Sequence, residues 1–507
     1  MVLFTLFECF EVPRTMSAMQ ELRGLLRQRM VRFFALSGML VWVAKVCVDY
    51  KYSVRDLDTW WHLKVGDWIV ENLAVPHSGV FSLTAAGRPW VAYSWGYEVI
   101  LSRAYHWFGL MGIGLLGTIL TLVNAYAVFW SLRRLSGRFW EAWLLAACTL
   151  YTFLFILMPR PVFISILFYI VLLTALLESN RSGNVRRLYW LPVLFLVWAN
   201  IHIQFIYGIF VLGLFVAAQL LPRLTDSFGI TPTYLRAASV PAKPLAVLFA
   251  ACLLATLISP YGYRLYLVVL SYSKAHYTYG MIVELQPLNF RFSNHFVQLL
   301  LTGGGFVAVG WRKKVDLFKF ALLTFASVVG FRTMRDCWFL AITAAAFIAD
   351  SPSPAREEDG EETWLERGAM LLTLAFFLFL FSRNFGFNER TLDRTVSTIF
   401  PVDAANFLRR NPLPGPLYNN LDWGGFLIWY MPQYPVAIDG RNDLYGDDLD
   451  RTFYEAQSAL EYKDDPYLSK AGCVLLEKKY PLSTVLKLDP RFNVVYEDPI
   501  AIVFARR

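Results

Sequence analysis

The chain has 507 residues, of which 56% are hydrophobic and only 17% charged, with a mean hydropathy of +0.43. An ordinary soluble domain carries about a quarter charged residues, so a soluble globular protein, a disordered chain and a fibre are all excluded. The net charge of +8 is unevenly divided: residues 384–507 hold 14 Lys and Arg against 17 Asp and Glu, a net of −3, while everything before them holds 33 against 22, a net of +11. That positive excess lies in short connections between apolar runs, the positive-inside signature of a membrane protein and not a nucleic-acid patch.

A membrane-spanning helix needs about 20 apolar residues. Eleven runs approach that requirement: 33–50, 109–131, 139–158, 162–177, 188–201, 203–221, 245–261, 296–311, 317–332, 335–349 and 368–383. Arg23, Arg27, Arg29 and Arg32 place the N-terminal segment 1–32 in the cytosol. It lacks the apolar core and small-residue cleavage site of a secretory signal, so the first run is expected to be an uncleaved anchor. Basic clusters at Arg133/Arg134/Arg138, Arg181/Arg186/Arg187, Arg223/Arg236/Lys243 and Arg312/Lys313/Lys314 all fall on the cytosolic connections of that alternation. The acidic segment 357–362 falls inside as well, which the rule tolerates because acids weigh little in it. An odd number of spans leaves the C-terminus outside. The sequence therefore predicts a polytopic α-helical membrane domain over 33–383, with outer loops 51–108 and 262–295, and an extracytoplasmic α/β domain over 384–507.

In loop 51–108, Trp60, Trp61, Leu63, Val65, Trp68, Ile69 and Val70 cluster at near-helical spacing, and a second aromatic stretch runs from Trp90 to Trp107. This pattern predicts two interfacial helices lying on the outer leaflet with their rings among the headgroups. In the tail, periodicity predicts strands over 416–420, 435–438, 472–476 and 493–505, and helices over 402–410, 448–461 and 481–488.

The chemistry-bearing stretch is Arg55-Asp56-Leu57-Asp58-Thr59-Trp60-Trp61-His62-Leu63, directly after the first run. Asp56 and Asp58, with His62 four residues on, are able to hold a divalent cation such as Mg²⁺ or Mn²⁺ through oxygens. Equally, one carboxylate is placed to act as general base toward a hydroxyl acceptor. A third reading makes them solvated loop acids, one capping the helix that begins near Thr59. Glu98 opens the helix into the second run, and Glu284 stands in the second outer loop, where it either completes such a site or is simply an exposed loop acid.

Polar groups at membrane depth are costly unless satisfied, which makes them functional candidates. Arg160, flanked by Pro159 and Pro161 at the outer end of the third run, is suited to clamping a phosphate through paired N–H groups. Asn200, His202 and Gln204, where the fifth run meets the sixth, are expected on the floor of an outer cavity; for His202 alone, a packing histidine is the competing reading. Arg332 and Arg335 run against the positive-inside pattern, so they either bind a lipid phosphate or anchor headgroups.

The tail motifs Asn419-Asn420-Leu421-Asp422-Trp423-Gly424-Gly425 and Ile438-Asp439-Gly440-Arg441-Asn442-Asp443-Leu444-Tyr445-Gly446 read as turns after strands, serving either ligand binding or plain strand closure. The six cysteines show no C-x-x-C or C-x-x-C-H spacing, and no G-x-S-x-G, Walker A or G-x-G-x-x-G motif is present. Disulfide framework, zinc, haem, flavin and nucleotide are accordingly not expected.

An Asp-x-Asp at the outer end of the first span, followed by further spans, resembles the GT-C superfamily of integral-membrane glycosyltransferases. More narrowly, residues 56–66 with Pro76, Phe81-Ser82 and Gly87-Arg88-Pro89-Trp90 resemble bacterial mannosyltransferase-like proteins. The resemblance implies a GT-C-like fold in a bacterial inner membrane and inverting transfer of a sugar from a polyprenyl-phosphate donor to a glycan, lipid or protein acceptor on the outer face. It further implies that an acid in this loop serves as catalytic base or metal ligand, a motif that only Asp56 and Asp58 match here. From the outer Asp-x-Asp and the opposing arginines, Asp56 is expected to deprotonate or orient the acceptor hydroxyl, Asp58 to help hold a cation or the acceptor, and Arg160 with Arg332 or Arg335 to stabilise the departing phosphate. Two rivals accompany it: a non-catalytic membrane subunit whose tail binds a protein partner, and a lipid-linked glycan transporter.

Overall fold

The computed structural model describes residues 13–50, 52–153, 160–229, 235–236, 238–272, 276–311, 314–351 and 388–507, together with three isolated positions between 352 and 387. The run 368–383 and the acidic segment 357–362 lie, but for those positions, outside the described residues, as do Arg312 and Lys313.

Each of the ten remaining apolar runs falls on a helix over most of its described residues. Four helices contain stretches long and apolar enough to cross a membrane: α1 (Pro13–Tyr50, through Gln28–Val48), α3 (Trp95–Ser136), α5 (Val162–Ser182) and α7 (Phe205–Ser227), with α2 (Leu57–Asn72) and α4 (Phe139–Thr152) between them. Exposed Phe34, Trp42, Leu144, Val193, Leu254 and Leu300 stud the sides of the bundle, apolar surface that suits lipid and not water. The chain is thus a polytopic integral membrane protein. Around the long helices pack shorter ones: α6 (Leu191–Ile201), α8 (Ala242–Thr256), α9 (Arg264–Tyr272), α10 (Ser293–Gly310), α11 (Leu317–Arg332) and α12 (Cys337–Ala349). α12 is apolar on every face and buried on nearly every face, against α4, α10 and α11, which makes it the centre of the bundle.

α3 bends at Gly109 (φ 60°), where the sequence divides outer loop from second run. The N-terminus of its second half is capped by Glu389 from the start of the tail, whose carboxylate accepts from the Leu110 N–H at 3.0 Å and the Met111 N–H at 3.2 Å. A carboxylate there meets free N–H groups and the positive end of the helix dipole.

The tail comprises α13 (Glu389–Ser397), α14 (Val402–Arg410), β1 (Leu417–Asn419), α15 (Leu421–Tyr430), α16 (Asn442–Gln457), β2 (Cys473–Glu477), α17 (Pro481–Leu486), β3 (Phe492–Glu497) and β4 (Ala501–Arg506). The sheet order is β1-β2-β4-β3, with β1 parallel to β2 (Leu417 opposite Cys473) and the other pairs antiparallel. Three expectations need correction. The stretch 493–505 is a hairpin, turned where Asp498 Oδ1 accepts from the Ile500 and Ala501 N–H groups. Residues 435–438 form no strand; Val436 makes a single bridge to Ser82 of the outer loop. The motif at 421–430 is a helix, not a turn.

The interfacial helices are also corrected. α2 is sandwiched between α3 and the tail helix α15. Trp60 is fully buried, 4.7 Å from Trp429, 5.3 Å from Phe426 and 5.4 Å from Phe400 between ring centroids. The rings that composition alone sends to the headgroups have a protein partner more than 300 residues away in sequence. The second stretch, from Trp95, is the first part of α3 itself.

Candidate active site

The loop 51–108 and the tail are bonded along the segment after α2. Thr84 Oγ1 donates to the Ala437 carbonyl at 2.6 Å, Arg88 Nη1 to the Tyr445 carbonyl at 3.0 Å, and Trp90 Nε1 to Asp443 Oδ2 at 3.0 Å. Arg441 is fully buried, paired with Asp439 at 2.7 Å, donating to the Val80 carbonyl at 2.9 Å and standing 4.9 Å from the Trp90 ring centroid. Between the two parts lies a cavity of about 360 Å³.

On its membrane-domain side stands Arg160, just ahead of α5, where it gathers three carboxylates. Its Nε and Nη2 donate to Asp56 at 3.0 and 2.7 Å, its Nη2 lies 3.2 Å from Asp58 Oδ2, and its Nη1 donates to both Glu284 oxygens at 2.9 and 3.1 Å. Asp56 is also the N-cap of α2, accepting from the Asp58 N–H at 3.4 Å. Its buried side chain is committed to holding the helix start and the guanidinium. Asp58 instead faces the cavity, its Oδ1 accepting from Trp61 Nε1 at 3.0 Å. Arg335 sits on the turn Met334–Asp336, 3.8 Å from Glu284. That turn is tied to the loop carrying Glu284, because the Met334 N–H donates to the Gln286 carbonyl at 2.9 Å.

The electrostatics follow from burial and from these neighbours. Burial pushes the Asp58 carboxyl up to about 6 despite Arg160, with Asp56 adding to the rise. Burial also acts to raise Glu284, but Arg160 and Arg335 outweigh it and hold that carboxyl below its ordinary value. Burial, with Arg160 next, keeps His62 well below the usual imidazole range and so neutral. Its Nδ1 lies 3.1 Å from Glu98 Oε1.

The structure brings Asp58, His62, Arg160, His202, Glu284 and Arg335 to the cavity wall, with Asp56 directly behind Arg160. It does not bring the others. Glu98 is buried behind His62 and is absent from the lining. Asn200 accepts from Trp95 Nε1 at 3.1 Å and donates to the Leu196 and Ile258 carbonyls, so it ties its own helix to the start of α3 and the end of α8 instead of flooring the cavity. Gln204 is buried and donates to Asp336 at 3.2 Å. Arg332 is exposed at the end of α11 and turned out of the cavity. His202 keeps its place, with Nδ1 2.8 Å from Ser165 Oγ.

The tail's contribution comes from the two motifs for which ligand binding was one of two readings, together with Tyr454, which no motif marked. Asp422, Gly440, Asn442, Asp443 and Tyr454 complete the lining. The signal was present in the glycines, read as turn formers. A Cβ on Gly424 would lie 2.0 Å from the Ile438 carbonyl oxygen, and one on Gly440 2.6 Å from Asp58 Oδ1. Both are small because backbones and a carboxylate approach them closely.

A divalent cation at Asp56 and Asp58 fits poorly. The guanidinium of Arg160 already occupies the space between these carboxylates, and among the described residues no group of three His, Cys, Asp or Glu is arranged as metal ligands.

No family model matches the sequence, and no curated protein matches it. Among solved structures the chain is similar to that of ArnT from Cupriavidus metallidurans bound to undecaprenyl phosphate, at 12% identity and a TM-score of 0.43, over 92% of this chain and 97% of that one.

Proposed function

We propose that the chain is a membrane glycosyltransferase that moves a sugar from a polyprenyl-phosphate donor to an acceptor hydroxyl, with its N-terminus cytosolic and its tail on the outer face of a bacterial inner membrane. The observation that carries this reading is the placement of Asp58 on the wall of a cavity that also presents Arg335, where burial raises its carboxyl. A general base works best with a pKa near the operating pH and within reach of the proton it takes.

In the proposed step the acceptor oxygen gives its proton to Asp58 and attacks the anomeric carbon. The bond from that carbon to the phosphate oxygen breaks, and the polyprenyl phosphate leaves with the electron pair. A single displacement of this kind inverts the anomeric centre. Arg335, the cavity cation less enclosed by carboxylates, meets the charge growing on the leaving phosphate. Arg160, its donors already taken by Asp56 and Glu284, fixes the geometry of Asp58. The base role thus moves from Asp56 to Asp58, because Asp56 is spent on a cap and a two-point ion pair. No step runs through a metal, since the guanidinium stands where a cation would.

The rival reading of a non-catalytic subunit places the tail loops at an external partner. Here Asp422, Gly440, Asn442 and Asp443 face this chain's own cavity, which favours the enzyme. The test uses purified protein with a panel of polyprenyl-phosphate sugars, with and without Mg²⁺ or Mn²⁺. Donor consumption in the wild type, falling about 10²–10⁴-fold in Asp58→Asn with donor binding kept, is the expected result. Absence of donor binding across the panel would move the assignment to the subunit.

A further inference from the structure

The cavity has two sides of different chemistry. Toward the membrane helices it is ionic, built on Arg160, Arg335 and their carboxylates. Toward the tail it presents Asn442 and Asp443 from the start of α16, and its lining includes Tyr93 and Tyr272, whose hydroxyls are 3.1 Å apart. Asp443 is aimed by Trp90, which donates to its Oδ2 at 3.0 Å.

Ser94 shares this lining. It is only 1% exposed, it lines the cavity, and its Oγ has no hydrogen-bond partner among the described residues. Buried hydroxyls are nearly always paired, so one left unpaired at a cavity wall points to a polar ligand that completes it. The neighbouring groups narrow the chemistry. A carboxylate accepts from hydroxyls, a carboxamide both donates and accepts, and a serine hydroxyl does either. Phenol rings beside them offer a flat apolar face. A pyranose ring has the matching pair of surfaces, hydroxyls around its edge and C–H groups on its face.

We infer that Ser94, Asn442 and Asp443 form a subsite for the hydroxyls of a pyranose seated against Tyr93 and Tyr272. This rests on the transferase reading and deepens it: the ionic side takes the phosphate and the tail side takes a sugar. The ring is either the sugar carried by the donor or a sugar of the acceptor.

The experiment measures binding to full-length protein in detergent, by quenching of tryptophan fluorescence. The probes are undecaprenyl phosphate, a set of undecaprenyl-phosphate hexoses, and the corresponding methyl hexosides. Ser94→Ala and Asp443→Asn should bind undecaprenyl phosphate as the wild type does, and should each bind a sugar-bearing probe about tenfold more weakly, the worth of roughly one net hydrogen bond. Loss on the glycosylated lipid assigns the subsite to the donor sugar, and loss on the methyl hexoside alone assigns it to the acceptor. Because the Ser94 hydroxyl has no partner to lose, Ser94→Ala should keep the wild-type melting temperature, which a structural role would lower. Wild-type affinity of both variants for every sugar-bearing probe overturns the subsite while leaving the transferase reading intact. Failure of the wild type to bind undecaprenyl phosphate overturns that reading and the subsite with it.

Discussion

Asp56 and Asp58 are two residues apart and chemically identical in sequence, yet the fold gives them different work. Asp56 lies under the start of α2 with its oxygens filled by Arg160, and Asp58 points into the cavity with its pKa raised to about 6. A base must be ionised to accept a proton. The rate should therefore be flat above pH 6 and fall about tenfold per unit as pH drops below it, which a pH–rate profile of kcat/KM checks. Gly440→Ala should remove turnover without unfolding the tail, because the new methyl would sit 2.6 Å from Asp58 Oδ1 and push the carboxylate aside. Arg160→Ala leaves the buried Asp56 charge uncompensated, and its cost should be about 3–5 kcal/mol, read as a lowered melting temperature. The acids were legible as a motif, but which of the two faces the cavity was not. That depends on Arg160, 104 residues downstream.

Among elements, the ten apolar runs within the described residues translated into helices, because an apolar run in lipid satisfies its backbone within the segment as a helix. The break between outer loop and second span was legible at residue 109, and the fold places a glycine kink there, pinned by Glu389. α15 was not legible. Gly424 and Gly425 normally argue against a helix interior, and only the closeness of Ile438 and Leu57 explains them. α2 was legible as a helix but not as a buried one, since its aromatic face suits a membrane interface as well as it suits Phe400, Phe426 and Trp429. Trp60→Ala should cost about 3–5 kcal/mol and release the tail from the membrane domain, so limited proteolysis should cut the variant between the two far sooner than the wild type.

On the scale of the whole molecule, the tail is a wall of the cavity and not an appendage. It brings Asp422, Gly440, Asn442 and Asp443 to residues of the first outer loop, and the segment 73–94 is bonded to it by Thr84, Arg88 and Trp90. This assembly was invisible in the sequence because it joins segments more than 300 residues apart through shape and buried ion pairs, neither of which leaves a periodic trace. The charge pattern does supply an orientation. An impermeant maleimide should label Leu488→Cys in intact cells and Arg186→Cys only after permeabilisation, and the reverse result would invert the topology. The measurement that bears most directly on the whole account is a structure of the full-length protein with undecaprenyl phosphate bound. The account predicts the phosphate in the cavity between the membrane helices and the tail, in contact with Arg335 and beside Asp58. A phosphate seated elsewhere, with the cavity closed by side chains, would contradict it.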